Sequence, residues 1–190
     1  MAVVIDRIDE HQAVISKMKE SIEQPLLQLA AVATDTLRRG KKIVLLGNGG
    51  SAADCQHIAA ELVGRFQRQR RALPAIALTT DTSILTAVGN DFGIEAIFVR
   101  QVEALVQEKD LVIALSTSGS SPNVLLAVEA ARAKQAITAG LTGAKGGALA
   151  ELCDLAIQAP SDVAARIQEA HILIGHILCE LIEKEFADGR

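Results

Sequence analysis

The chain has 190 residues, 49% of them hydrophobic, which is enough for one domain with a well-buried core. Its net charge is −4, its basic residues are mostly scattered and its aromatic content is 2%, so it lacks both the basic surface and the stacking rings of a nucleic-acid-binding protein. No apolar run is long enough to span a membrane, and acidic residues within the first ten positions are atypical of an export signal, which together predict a cytoplasmic protein with no membrane partner.

Helical periodicity marks the first forty residues, with one apolar stripe through Ile8, a break near Pro25 and a second stripe through Leu29. Five short apolar runs follow, and a periodic closing helix is expected over 164–186. The runs predict five strands of a mainly parallel sheet: 43–46, 75–78, 111–115, 137–141 and 155–157. We therefore expect an α/β fold in a single domain over 1–190, with N-terminal helices in 1–40 and the core with its closing helix in 41–190.

The first predicted strand ends in a glycine-rich turn, Gly-Asn-Gly-Gly-Ser at 47–51, and a helix follows. Such a turn exposes backbone N–H groups at a helix N-terminus, where the dipole favours a phosphate or carboxylate. The spacing matches neither GxGxxG nor GxxxxGK[ST], so a phosphorylated metabolite is a better candidate ligand than a dinucleotide or a nucleoside triphosphate. The alternative is an ordinary turn with Ser51 as the N-cap.

The helix after this turn carries Asp54, His57 and Glu61, which fall within roughly 60° of one another at helical spacing. A His and a Glu four residues apart can hold a metal ion, act as a base with its orienting partner, or form a surface ion pair. Their position close behind an anion-binding turn favours a functional site. The arginines just beyond, at 65, 68, 70 and 71, are expected to lie in a solvated helix end and loop, the alternative being a contact of one of them with a phosphate or a neighbouring subunit.

A second strand, turn and helix unit carries five hydroxyls and a glycine at 116–121, followed by Pro122 near the first helical position with Ser121 as its cap. Hydroxyls and open amides at a helix N-terminus suit a phosphate monoester. Ligands of open α/β sheets bind beyond the carboxyl ends of the strands, where both loops are expected to lie. The alternative is a serine-rich cap and turn.

These segments together resemble the sugar isomerase (SIS) domain family, and most closely its phosphoheptose isomerases, over nearly the whole chain. The residues that carry the resemblance are GNGGSA at 47–52, DCQHIAAEL at 54–62, AVGND at 87–91, STSGSSPNV at 116–124 and ARIQEAHILIGH at 165–176. The resemblance implies an enzyme that interconverts sedoheptulose 7-phosphate and D-glycero-D-manno-heptose 7-phosphate, the first step toward the heptose of lipopolysaccharide or another surface glycan. It also implies a homotetramer, with the N-terminal helices used in oligomerisation, and one zinc ion per subunit.

The resemblance also implies the residues of the site. The implied zinc ligands are His57, Glu61, Gln168 and His176. The implied substrate contacts are Asn48, Gly49, Gly50, Ser51, Asn90, Asp91, Ser116, Thr117, Ser118, Ser121 and Gln168.

Isomerisation of a ketose to an aldose moves a proton between C1 and C2 through an enediol, while a second group manages the oxygen protons. Glu61 is expected to be the base at carbon, His176 the acid or base at oxygen, and Asp54 the acceptor of the second N–H of His57. Gln168 and His176 are about 12 Å apart along a straight helix. Either that helix is irregular or neighbouring subunits share the site.

Two other functions fit the same fold. One is a non-catalytic SIS-domain protein that binds the replication initiator or senses a sugar phosphate, and the other is an isomerase of a hexose or arabinose phosphate. The presence of both Glu61 and His176 favours an enzyme, and the pair of His57 and Glu61 with the segment from Gln168 to His176 points to a heptose.

Overall fold

The computed structural model describes residues 2–187. They form a five-stranded sheet in the order β2-β1-β3-β4-β5, and every neighbouring pair is parallel. The strands are β1 (Ile43–Gly47), β2 (Ala75–Ala77), β3 (Leu111–Ser116), β4 (Ile137–Thr142) and β5 (Leu155–Gln158). The helices are α1 (Ala2–Ser21), α2 (Glu23–Arg38), α3 (Gly49–Val63), α4 (Thr82–Phe92), α5 (Ala96–Leu105), α6 (Pro122–Ala133), α7 (Gly147–Leu152) and α8 (Ala164–Phe186).

Helices cover both faces of the sheet, so β1 and β3 are buried at every position and are almost entirely apolar. In β1, Ile43 and Leu45 pack with the cluster that includes α1, α2, α3 and α8, while Val44 and Leu46 pack with the cluster that includes α5 and α6. This two-sided burial explains why the strands read as continuous apolar runs rather than as alternating ones. Among residues 2–187, none of the helices combines the length and the apolar character that crossing a membrane requires.

The predicted elements agree closely with the observed ones: all five strands are present within about one residue of their expected ends, and the closing helix has the expected bounds. The N-terminal break falls at Ile22 rather than at Pro25, which lies in the first turn of α2. Proline is tolerated there because a first-turn N–H has no partner within the helix.

The strand order reverses between β1 and β3. From β1 the chain continues to β2 on one side of the sheet, and from β3 it continues to β4 on the other side. Ligands of open α/β sheets bind in the crevice at such a switch point, beyond the carboxyl ends of the strands. The ends that flank this crevice are Gly47 and Ser116, so the glycine-rich loop and the hydroxyl-rich loop lie side by side there.

Candidate active site

The two loops at the switch point are joined by a reciprocal pair of amide hydrogen bonds. The side chain of Asn48 donates to Asn123, and the side chain of Asn123 donates back to Asn48, each over 2.9 Å. Asn48 is the N-cap residue of α3, which begins at Gly49, so Ser51 is a buried first-turn residue rather than the cap. The side chain of Asn48, a predicted substrate contact, is therefore already engaged with the neighbouring loop at both its oxygen and its nitrogen.

The hydroxyl-rich loop turns sharply at Gly119, whose φ of +65° lies in the region that favours glycine. A Cβ at this position would also collide with the backbone of Gly146. Ser121 occupies the predicted N-cap position of α6, but its hydroxyl pairs with that of Ser116 at 3.1 Å instead of capping the helix. Ser118 accepts hydrogen bonds from the backbone N–H and the hydroxyl of Ser120. The loop thus groups four serine hydroxyls in two hydrogen-bonded pairs at a helix N-terminus.

The polar stripe of α3 faces α8. Nε2 of His57 lies 3.0 Å from Nε2 of His176 and 3.3 Å from Oε1 of Glu61. The His57 side chain is 50% exposed and that of Glu61 is 24% exposed, so the group opens to solvent on one side. One imidazole nitrogen therefore faces a second imidazole and a carboxylate, an arrangement suited to sharing a proton or a cation.

The close approach of the two helices depends on Gly175, which precedes His176. A Cβ on Gly175 would lie 2.5 Å from Cδ1 and 2.7 Å from Cγ1 of Ile58, the residue that follows His57. Because the glycine leaves room for Ile58, α3 and α8 can pack closely enough for the two histidine rings to meet. A glycine inside a periodic helix is a signal of such packing, although the sequence alone does not identify the partner.

Gln168, two turns before His176 on α8, packs against the glycine-rich loop. Its side-chain amide atoms lie 2.5 to 2.8 Å from where a Cβ of Gly50 would be. The helix is continuous over Ala164–Phe186, so the irregularity considered from the spacing of Gln168 and His176 is not observed. One regular helix thus supplies Gln168 at the first loop and His176 at the α3 stripe.

The expected hydrogen bond between Asp54 and His57 is not formed. Oδ2 of Asp54 is buried without a hydrogen-bond partner among residues 2–187, while Nε2 of His57 is directed at α8 and Glu61. Burial raises the pKa of Asp54 above its ordinary value, and the charge of His57 offsets only part of that rise. Helical spacing places the two residues on one face of α3, but it does not by itself direct the second ring nitrogen of His57 at the carboxylate.

Asn90 and Asp91 lie in the last turn of α4, exposed to solvent. Asn90 donates to Asp91 over 2.9 Å, and within residues 2–187 no other side-chain hydrogen bond involves either residue. The structure therefore does not join them to the two loops or to the histidines.

The distances around His57 bear on the implied zinc ion. Two ligand atoms on a tetrahedral zinc ion are about 3.3 Å apart, given bonds of about 2 Å, and the two His57 distances are close to that value. Across the part of the chain that the structure describes, however, no three His, Cys, Asp or Glu side chains are already grouped as a metal site. The fit to zinc therefore rests on two atom pairs, His57 with His176 and His57 with Glu61.

The expectation of a solvated arginine run is wrong for Arg70. Its side chain is 1% exposed and faces the equally buried Glu183 of α8, with Nε 3.6 Å from Oε1. Spacing along the sequence gave no indication of this partner, which is more than a hundred residues away.

The sequence matches the SIS domain family over residues 8–143. A phosphoheptose isomerase from a Nitratiruptor species is 54% identical over 177 residues, which cover 93% of this chain and 95% of that protein. The chain belongs to the phosphoheptose isomerase family of SIS-domain proteins. The solved structure of phosphoheptose isomerase GmhA from Neisseria gonorrhoeae is 40% identical and has a TM-score of 0.92, covering 96% of this chain and 98% of that chain. The phosphoheptose isomerase structure from Francisella tularensis is 36% identical, with a TM-score of 0.93 over 96% and 97% of the two chains.

Gly175→Ala tests the contact between α3 and α8 on which the pairing of His57 with His176 depends. The added methyl group overlaps Ile58, so we expect a loss of about 1–3 kcal/mol in the free energy of unfolding. Adding Ile58→Val removes the nearest atom and should recover part of the loss. Unfolding in urea measures both effects.

Gly89→Ala is the matched control, because a Cβ there would meet Ile97 at an ordinary 3.7 Å within α4. It should leave stability unchanged or raise it by up to about 1 kcal/mol. Equal stabilities of the two alanine variants would contradict the packing argument.

Proposed function

We propose that this protein is a phosphoheptose isomerase that converts D-sedoheptulose 7-phosphate to D-glycero-D-manno-heptose 7-phosphate, in the cytoplasm, as a step toward the heptose of a surface glycan. The observation that carries the proposal is the group of His57, Glu61 and His176, together with two loops that lead into helix N-termini at the switch point of the sheet. The relatives that match at high coverage are named phosphoheptose isomerases.

The phosphate of the substrate would bind at the hydroxyl-rich loop. Ser116, Thr117, Ser118 and Ser121 line a turn that ends at the N-terminus of α6, where backbone N–H groups and the helix dipole favour an anion. The glycine-rich loop at Asn48 to Ser51, with Gln168 packed on it, would contact the sugar chain. Asn90 and Asp91 belong to the proposal as further substrate contacts.

Glu61 would move the proton between C1 and C2. Its carboxylate is mostly buried yet adjacent to the open side of the site, so it can reach a bound carbon acid while water access is limited. His176 would donate or accept the proton at oxygen, because an imidazole nitrogen can serve as an acid or as a base. The 3.0 Å contact with His57 fixes the direction of its Nε2.

The proposal includes one zinc ion per subunit, with His57, Glu61, Gln168 and His176 as the residues that would hold it. When bound, zinc would stabilise the negative charge that develops on the substrate oxygens. The two short distances at His57 support His57, Glu61 and His176 as ligands. Because Gln168 lies two turns before His176 on the same unbroken helix, it would have to reach the ion from a neighbouring subunit.

The proposal also includes a homotetramer. Val3, Val4, Ile5 and Ile8 on α1 are 49 to 69% exposed, and Phe92 and Ile94 at the end of α4 and just beyond it are 61 and 67% exposed. Apolar groups clustered in this way on a helix are typical of a surface covered by another subunit.

The first experiment is an isomerase assay on sedoheptulose 7-phosphate before and after chelation, followed by restoration with zinc. We expect turnover that chelation removes and zinc restores. Turnover that survives complete chelation would reject the zinc assignment alone. No turnover under any metal condition would reject the enzyme and favour a sugar-phosphate-binding protein.

Glu61→Gln tests the proposed base, because it keeps the shape of the side chain and removes its proton affinity. We expect kcat to fall by at least about a hundredfold, in the range typical of general acid–base catalysis, with an unchanged melting temperature. Glu180→Gln, which removes an exposed carboxylate paired with Lys184 on α8, is the control and should retain full activity. A Glu61→Gln variant with most of its activity would exclude Glu61 from the mechanism.

The oligomer is tested by light scattering after size-exclusion chromatography. We expect a mass near four times the 20.0 kDa of one chain. The double variant Ile5→Lys with Ile8→Lys should shift the protein to smaller species, because two charges would be buried at the interface. Asp6→Lys changes a charge on another side of α1 and should leave the mass unaltered. A tetramer that tolerates both lysines would move the interface away from this face.

A further inference from the structure

The segment between α3 and β2, residues 64–74, has no helix or strand, yet a single carboxylate holds its backbone. We call this segment the arginine loop. Glu183 of α8 accepts hydrogen bonds from the backbone N–H groups of Phe66 over 3.0 Å and of Gln67 and Arg68 over 2.7 Å each. Glu183 is 1% exposed, so these bonds are made away from solvent, where a lost partner is costly.

Arg70 completes the anchor from the loop side. Its guanidinium donates to the backbone carbonyls of Glu61, Gly64 and Arg71 over 2.7 to 3.0 Å, while its Nε faces Glu183. The carbonyl of Glu61 is in the last turn of α3, where carbonyls lack partners within the helix and a cation is favourable. Arg70 therefore ties the end of the helix that carries Glu61 to the same carboxylate that holds the loop.

The loop places an aromatic ring on the candidate catalytic histidine. The Phe66 ring stacks on the His176 ring, with centroids 5.6 Å apart and an angle of 25° between the planes. The His57 ring meets His176 edge-on, with centroids 5.0 Å apart. The imidazole of His176 thus has Phe66 and His57 as ring neighbours, and its freedom to rotate is limited by both.

We propose that Glu183 is a positioning residue of the site: by anchoring the arginine loop it holds the Phe66 ring against His176 and so fixes the direction of the His176 imidazole. This inference rests on the proposed function for its effect on turnover, but not for its effect on the His176 ring. The hydrogen bonds and the ion pair of Glu183 go to the backbone of residues 66–68 and to Arg70, so it acts on His176 through them.

The ionised state of Glu183 agrees with this role. Burial alone would raise the pKa of Glu183, but the three backbone N–H groups and Arg70 hold it below its ordinary value. The carboxylate is therefore charged at neutral pH, and its charge balances that of Arg70. Complete removal of a partner from a buried ion pair is strongly destabilising, so the tests use conservative variants rather than alanine.

Three variants distinguish a role in positioning the His176 ring from a role only in anchoring the arginine loop. Phe66→Leu removes the ring and keeps an apolar side chain, Phe66→Tyr restores a ring, and Glu183→Gln keeps an acceptor oxygen but removes the charge. The control is Glu185→Gln on the same helix, which removes the charge from an exposed pair with Arg38.

The readout that does not depend on turnover is the NMR spectrum of the histidine ring C–H groups in the purified protein, which has four histidines. The His176 signal is assigned from its disappearance in His176→Gln. We expect Phe66→Leu and Glu183→Gln both to move that signal downfield, because the shielding by the stacked ring is lost. Phe66→Tyr and Glu185→Gln should leave it near its original position.

Steady-state kinetics give the second readout. Phe66→Leu and Glu183→Gln should lower kcat on the order of tenfold while KM changes less than about twofold, because a misdirected acid–base group slows the proton transfer without weakening binding. Phe66→Tyr should keep most of the activity. A folded Glu183→Gln protein with the His176 signal and kcat of the unmodified chain would overturn the proposal. An inactive unmodified protein that still shows the expected NMR shifts would reject the enzyme and leave the positioning intact.

Discussion

The site depends on the contact between Gly175 and Ile58, where the absence of a side chain on α8 leaves room for α3. Each of these residues is next to a histidine of the polar group, so the distance between the helices sets the distance between the imidazoles. A larger residue at 175 would separate the helices, and the group of His57, His176 and Glu61 would lose its geometry even though every member remained present. The polar site is thus a consequence of apolar packing: tight complementarity in the core decides whether the polar side chains meet.

The second constraint is the position of both loops at the switch point of the sheet. The strands β1 and β3 are adjacent, parallel and buried on both faces, so their carboxyl ends lie side by side. The reciprocal amide pair of Asn48 and Asn123 then fixes one loop relative to the other. An anion held at one loop therefore has a defined distance to the other, which is what a catalytic group needs if the reacting carbons lie at the far end of a phosphorylated chain.

Local features of the sequence predicted the helices, the strands and the polar stripe of α3. The features that the sequence did not predict depend on tertiary contacts. Strand ends were predictable because apolar runs stop at glycine or polar residues, and the shared face of His57 and Glu61 follows from helical spacing alone. The direction of the His57 ring, the pairing of Asn48 with Asn123 and the burial of Arg70 against Glu183 depend on partners from 75 to more than a hundred residues away. No periodicity connects such residues. The zinc ligands, the tetramer and the roles of Asn90 and Asp91 rest on family resemblance and stay predictions.

The helix α8 links these parts because it is long and unbroken. Its first half packs Gln168 on the glycine-rich loop, its middle carries Gly175 and His176, and its second half carries Glu183. At 100° per residue Gln168, His176 and Glu183 fall within about 80° of one another, so the helix presents all three on one side. Since a regular helix changes length and twist very little, the three contacts cannot adjust independently. A shift of α8 that improved one of these contacts would disturb the other two. This mutual restraint is the physical reason why a site assembled from loops at the carboxyl ends of the strands can still be held rigidly.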